Sequence, residues 1–142
     1  MQISSRFTVA AHVLICIEMF KNERKVTSDF LASSVNVNPV VIRRILQQLK
    51  GAGIVTVTRG SGGADTAKAL DEITLLDLYN AVECVDDGAL FHFHEDPNQL
   101  CPVGRNIHAV LDGRLEDIQR AMEEQMKSVT IRDIVEDTKN LM

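Results

Sequence analysis

Arg43, Arg44 and Gln47, with Val40 and Asn38 just ahead of them, carry the groups that read base edges in a DNA duplex. An arginine donates a fork of hydrogen bonds to guanine, a glutamine pairs with adenine, and a small apolar group such as Val40 can lie against a thymine methyl. Farther along, Arg59 stands immediately before Gly60-Ser61-Gly62-Gly63, where a long cation could enter the minor groove beside a flexible tip. Each observation has a plainer reading. Arginines and glutamines on a helix face are commonly a solvated surface, and a hairpin can need glycine only to turn. Four small residues together exceed what a tight turn requires, which favours function, whereas Asp65 would repel phosphate if it pointed the same way.

Sulfur and imidazole offer a second chemistry. Cys84, His92, His94 and Cys101 are ligand types that suit zinc or another soft divalent ion, but their spacing is irregular, and no metal is expected. Cys101 alone precedes a long helix, whose N-terminal dipole would favour a thiolate, making it a candidate redox-sensing residue. His12 and Cys16, four residues apart, read as a core histidine and a buried thiol. A phosphate loop, nucleophile elbow, dinucleotide fingerprint and convincing carboxylate pair are all missing from the sequence, so an enzyme is not expected.

The elements that must position these groups follow from periodicity and caps. Asn38 caps a helix with Pro39 in its first turn; Ile42, Ile45, Leu46 and Leu49 form its buried stripe, turning Val40, Arg43, Arg44 and Gln47 outward. Gly51 and Gly53 end it. A β-branched run, IVTVTR, then opens a wing over Ile54 to about Leu70. Before this helix, Ser5 to Phe20 is a helix apolar on nearly every side, KNERK is a polar connection, and Thr27 or Ser28 starts a short helix to Val35. The free N–H groups at Ser28 could face a phosphate. Asn36-Val37 turns the chain between two helices, giving a helix-turn-helix. After the wing come an amphipathic helix, Ile73 to Glu83, an irregular segment from Cys84 to Pro102, the longest helix from Val103 to about Val129, and a last one from Thr130 to Leu141.

The chain of 142 residues has a net charge of −5, unevenly spread. Residues 1–68 hold nine Lys/Arg against four Asp/Glu, and residues 69–142 hold six against sixteen. A basic front half containing the helix-turn-helix and glycine tip is the footprint of a duplex binder, with the acidic half kept off the phosphates. The start MQISSRF lacks signal-peptide character, no apolar run is long enough to span a bilayer, and three cysteines at irregular spacing make no disulfide framework; a cytoplasmic protein is expected. In the longest helix Ile107, Leu111, Leu115, Ile118, Met122 and Met126 recur at steps of three and four, a dimerisation seam. A symmetric homodimer would carry two reading helices to successive major grooves about 34 Å apart and read an inverted repeat. The expected fold is mainly α with a small β-hairpin wing, one compact chain: residues 1–70 form the winged helix-turn-helix, and residues 71–142 the linker, sensing loop and dimerisation helices. A winged helix used only for protein interaction is the alternative.

The segments ISSRFTVAAHVL, VNPVVIRRILQQLKGAGIVTVTRGSGG and ITLLDLYNAVE, with the long helix after CPVG, resemble the Rrf-two family of bacterial winged-helix regulators, typified by IscR, NsrR and CymR. They are most similar to its YwnA-type members, which lack a full cluster-binding cysteine set. The resemblance implies a dimeric, sequence-specific transcription regulator, a repressor in the family's usual mode. It puts Asn38, Val40, Arg43 and Arg44 in the major groove, and Arg59 to Gly63 against the minor groove or backbone. Cluster-binding members carry three cysteines between wing and long helix; here that segment holds only Cys84 and Cys101, so no iron–sulfur cofactor is expected. The chain is therefore read as a regulator of transcription that is redox- or ligand-responsive.

Overall fold

In a computed structural model describing residues 3–83, 85 and 88–142, the apolar stripes of the first three helices meet in one core. These are α1 (Arg6–Phe20), α2 (Ser28–Val35) and α3 (Pro39–Gly51). Local chemistry sets their ends. Thr27 Oγ1 accepts the Phe30 N–H at 3.1 Å, and Asn38 Oδ1 accepts the Val40 N–H at 2.9 Å, satisfying donors that a helix start leaves free. Asn36, at φ 64°, makes the left-handed turn between α2 and α3. Ile42, Ile45, Leu46 and Leu49 are all buried, as their spacing predicts.

The wing consists of β1 (Val55–Thr58) and β2 (Gly63–Thr66), antiparallel, with Val55 opposite Thr66 and Thr58 opposite Gly63. A 3-10 turn at Gly60–Gly62 forms its tip. The hairpin is shorter than the expected span to Leu70, because Leu70 leaves it and is buried in the core. The Ala64 N–H donates to the Val26 carbonyl at 2.8 Å, tying β2 to the backbone just ahead of α2.

Two capping boxes organise the second half. Thr74 with Asp77 starts α4 (Leu75–Ala81), and Thr130 with Asp133 starts α6 (Ile131–Asn140). The cap at Thr74 explains why α4 begins two residues later than the expected Ile73. The two boxes sit side by side: Leu75 N–H donates to Val129 O at 3.0 Å and Ile131 N–H to Ile73 O at 2.8 Å. That bridge turns α6 back onto α1, where it buries Ile131 and Val135, so a helix from the acidic half completes the core of the basic half. Between them, α5 (Pro102–Lys127) has no buried residue, although Met122 and Met126 pack against the core. Among the described residues no helix is long and apolar enough to cross a membrane.

The structure corrects one core expectation. His12 is half-buried rather than internal, with Nε2 2.9 Å from Ser34 Oγ; the same hydroxyl lies 3.2 Å from the Sγ of buried Cys16. Nor is α1 covered on every side. Phe7, Ala11, Ile15 and Met19 are only half-buried and line an apolar groove of about 600 Å³ that Ile134 of α6 shares.

Candidate nucleic-acid interface

A groove of about 430 Å³ lies between α3 and the wing, lined by Ser28, Arg43, Leu46, Gln47, Lys50, Val57, Thr58, Arg59 and Gly60. Five of the residues singled out from the sequence (Ser28, Arg43, Gln47, Arg59 and Gly60) come together here, although Ser28 and Arg59 are thirty-one positions apart. No carboxylate is among the lining residues. Lys50 and Thr58 were not anticipated, and they extend the cationic and hydroxyl-bearing surface along both walls.

Outside the groove the exposed face of α3 continues through Asn38, Val40 and Arg44. Val40 is 61% exposed, a hydrophobic residue held in water on the face that would meet base edges. Pro39 is half-buried in the first turn, where its missing N–H costs nothing. Asn38 serves the helix with its carbonyl oxygen, leaving the amide N–H groups to donate outward. Arg44 and Arg59 make no ion pair among the described residues, while Arg43 reaches an exposed Asp29 carboxylate at 3.8 Å. An exposed pair at that distance contributes little and is readily exchanged for a phosphate.

The glycine run has stronger steric reasons than its sequence suggested. Gly63, at φ +83°, lies so close to the α1–α2 connection that a Cβ there would stand 2.8 Å from the Val26 nitrogen. A Cβ on Gly62 would collide with the Thr58 side chain. Packing therefore accounts for two of the four small residues, Gly62 within the hairpin and Gly63 against the α1–α2 connection, while a Cβ on Gly60 would meet nothing within 4 Å. The side chain of Ser61 lies outside the described residues. Asp65 turns away from the tip: one carboxylate oxygen accepts the Thr66 N–H at 2.7 Å and lies 3.9 Å from Lys21 Nζ.

Cys101 is exposed at the N-cap of α5. Its sulfur makes no capping hydrogen bond of regular geometry, yet the N–H groups of Gly104 and Val103 face it and hold the thiol below its ordinary pKa. His92, His94 and Cys101 belong to no group of three ligating side chains among the described residues, and Cys84 lies outside them. His94 instead packs against the ring of His108, 5.4 Å between centroids, and His108 Nδ1 contacts Asp112 at 3.0 Å. An iron–sulfur cluster is held by several thiolates directed at one point, and at the head of α5 the described residues supply the single thiol of Cys101. Along α5, Leu111 and Ile118 are exposed, Ile107 and Leu115 half-buried, and Met122 and Met126 inward.

Comparison with known proteins gives this geometry a context. Residues 3–137 match the Rrf2 family, described as Iron-dependent Transcriptional regulator. The chain is similar to YwnA of Bacillus subtilis (strain 168), a candidate HTH-type transcriptional regulator, at 43% identity over 133 residues, 94% of this chain and 96% of the relative. A crystal structure of a candidate DNA-binding protein matches with a TM-score of 0.72 and 40% identity, covering 92% of this chain and 98% of that one. CymR (YrzC), the global cysteine regulator of B. subtilis, shares the fold with a TM-score of 0.68 at 20% identity, over 96% of this chain and 97% of its own.

Proposed function

Because the chain belongs to the Rrf2 family of transcriptional regulators, we propose that it binds double-stranded DNA sequence-specifically, as a cytoplasmic homodimeric repressor on an inverted repeat and not as an enzyme. The observation that carries this reading is the groove joining α3 to the wing, with no carboxylate among its lining residues, and on the adjoining face an exposed Val40 and an Arg44 that makes no ion pair among the described residues. An α-helix fills a major groove, and a hairpin beside it reaches the neighbouring minor groove. In that pose Arg44 and Gln47 read base edges, Arg59 enters the minor groove, and Ser28 and Lys50 hold phosphates. Residues 1–70 supply the reading surface and residues 71–142 the pairing surface, through Ile107, Leu111, Leu115 and Ile118.

In this reading the protein works without a bound cluster, because the segment between wing and long helix contains only Cys84 and Cys101. Cys101 is instead the residue through which an oxidant acts, by changing the start of α5 and with it the separation of the two reading helices. Unchanged DNA affinity of Cys101→Ser across oxidant and reductant removes that part alone.

The test selects bound sequences from random duplex DNA with the protein reduced and then oxidised. A symmetric site is expected, with affinity falling steeply as salt rises. Arg44→Ala is expected to lose about tenfold or more on the selected site, in line with roughly 1–3 kcal/mol for a forked arginine–guanine contact, and clearly less on random DNA. Equal losses would reduce Arg44 to a phosphate contact, and absence of salt-dependent binding would leave a protein-interaction module.

A further inference from the structure

The wing is a blade with a groove on each face. Thr58 lines both grooves; Gly60 belongs to the one shared with α3, whereas Gly62 and Gly63 belong to a second, of about 470 Å³, whose other wall is the α1–α2 connection. Lys21, Arg24 and Lys25 line that wall with the carboxylate of Glu23, and Asp65 faces the groove from β2. These charges are not equivalent. Lys21 is committed within the molecule, 2.8 Å from Glu18 and 3.9 Å from Asp65, and this pairing answers Asp65 as well. Arg24 and Lys25 are exposed and make no ion pair among the described residues. Arg24 is nevertheless fixed: its guanidinium lies 4.0 Å over the Phe30 ring, and Phe30 packs edge-on against Phe20 at 5.3 Å. The hydrogen bond from Ala64 to Val26 and the close approach at Gly63 hold this wall at a set distance from the blade.

A minor groove is bounded by two sugar–phosphate strands, one on each side of anything inserted in it. The α3 side of the blade serves the strand shared with the major groove. We propose that Arg24 and Lys25 bind phosphodiesters of the opposite strand, beyond the wing, so that the α1–α2 connection is a third contact element and the DNA strand lies between it and the tip backbone. This rests on the DNA reading above and adds a site to it. The contact carries charge and position but no base information, so it strengthens binding on every sequence alike.

The test uses the full chain with Arg24→Gln/Lys25→Gln, which keeps the first two methylenes of each stem and removes both charges. On the selected duplex near 0.1 M salt, binding is expected to weaken about 5- to 20-fold, with the same factor on random DNA, and the slope of log affinity against log salt to become shallower by about 2 per subunit. Single methylphosphonates on the strand beyond the wing are expected to weaken the parent protein and not the variant, while Arg24→Lys/Lys25→Arg restores the slope. An unchanged slope in the double variant, with Arg44→Ala still losing the selected site, overturns this contact and leaves the DNA reading standing. A parent protein with no salt-dependent binding overturns both.

Discussion

Cys101 differs from Cys16 in surroundings rather than in type. Cys16 is buried beside Ser34, whereas Cys101 stands in water with the N–H groups of Gly104 and Val103 turned toward its sulfur. Its pKa is lowered, so at any pH below the ordinary thiol range a larger fraction is thiolate, and the thiolate is the nucleophile. Iodoacetamide followed by mass spectrometry is therefore expected to label Cys101 much faster than Cys16 at pH 7. The Cys101 rate should rise through a midpoint below that of the same peptide in denaturant, and equal midpoints would refute the helix-start effect. At this scale much of the candidate interface was readable beforehand. Helical arithmetic from the stripe Ile42, Ile45, Leu46 and Leu49 turns Arg43, Arg44 and Gln47 outward, and the exposed face confirms that orientation. The same arithmetic reaches Lys50, three residues after Gln47 and seven after Arg43, so the signal was present and unused. Thr58 had none, because its neighbours across the groove come from another element. His12 was misjudged because an apolar run says nothing of where its cover stops.

The elements show where local rules suffice and where contact takes over. Thr27, Asn38, Thr74 and Thr130 each cap a helix start, and because such caps depend on a few consecutive residues the starts of α2, α3 and α6 could be placed from sequence alone, whereas periodicity without the Thr74 cap put α4 two residues early. The glycines of the wing could be counted in advance but not explained, since their reasons, Thr58 and the Val26 backbone, become neighbours only on folding. Gly63→Ala forces a side chain into the left-handed region against that backbone, and about 1–3 kcal/mol should be lost, seen as a fall of several degrees in the thermal midpoint. Gly113 makes the opposite case. It lies in the exposed middle of α5 with nothing within 4 Å of an added Cβ, so Gly113→Ala should gain up to about 1 kcal/mol and raise the midpoint by a few degrees. A drop would mean that another chain approaches the helix there. The return of α6 onto α1 was not legible, because periodicity identifies an apolar face without naming what covers it.

For the molecule as a whole, the feature in most need of an account is a 26-residue helix with no buried residue. Val103, Val110, Leu111 and Ile118 are 70%, 60%, 37% and 53% exposed, whereas the inner end of the same helix rests Met122 and Met126 on the core. In the homodimer proposed above, a second copy of the chain would cover this seam. Leu111→Glu/Ile118→Glu removes no core contact, so circular dichroism should stay helical while equilibrium sedimentation at micromolar concentration shifts from dimer to monomer. Affinity for a two-half-site duplex should fall at least tenfold. A parent protein that sediments as a monomer would end the pairing scheme.

The bridge between Thr74 and Thr130 bears on when the fold can close during synthesis. Since α6 closes over α1, the front of the molecule stays unfinished until Ile131 and Val135 have left the ribosome and docked. A chain that stops short of α6, though it already carries Arg43, Arg44 and Arg59, leaves its first helix without the apolar cover that Ile131 and Val135 supply.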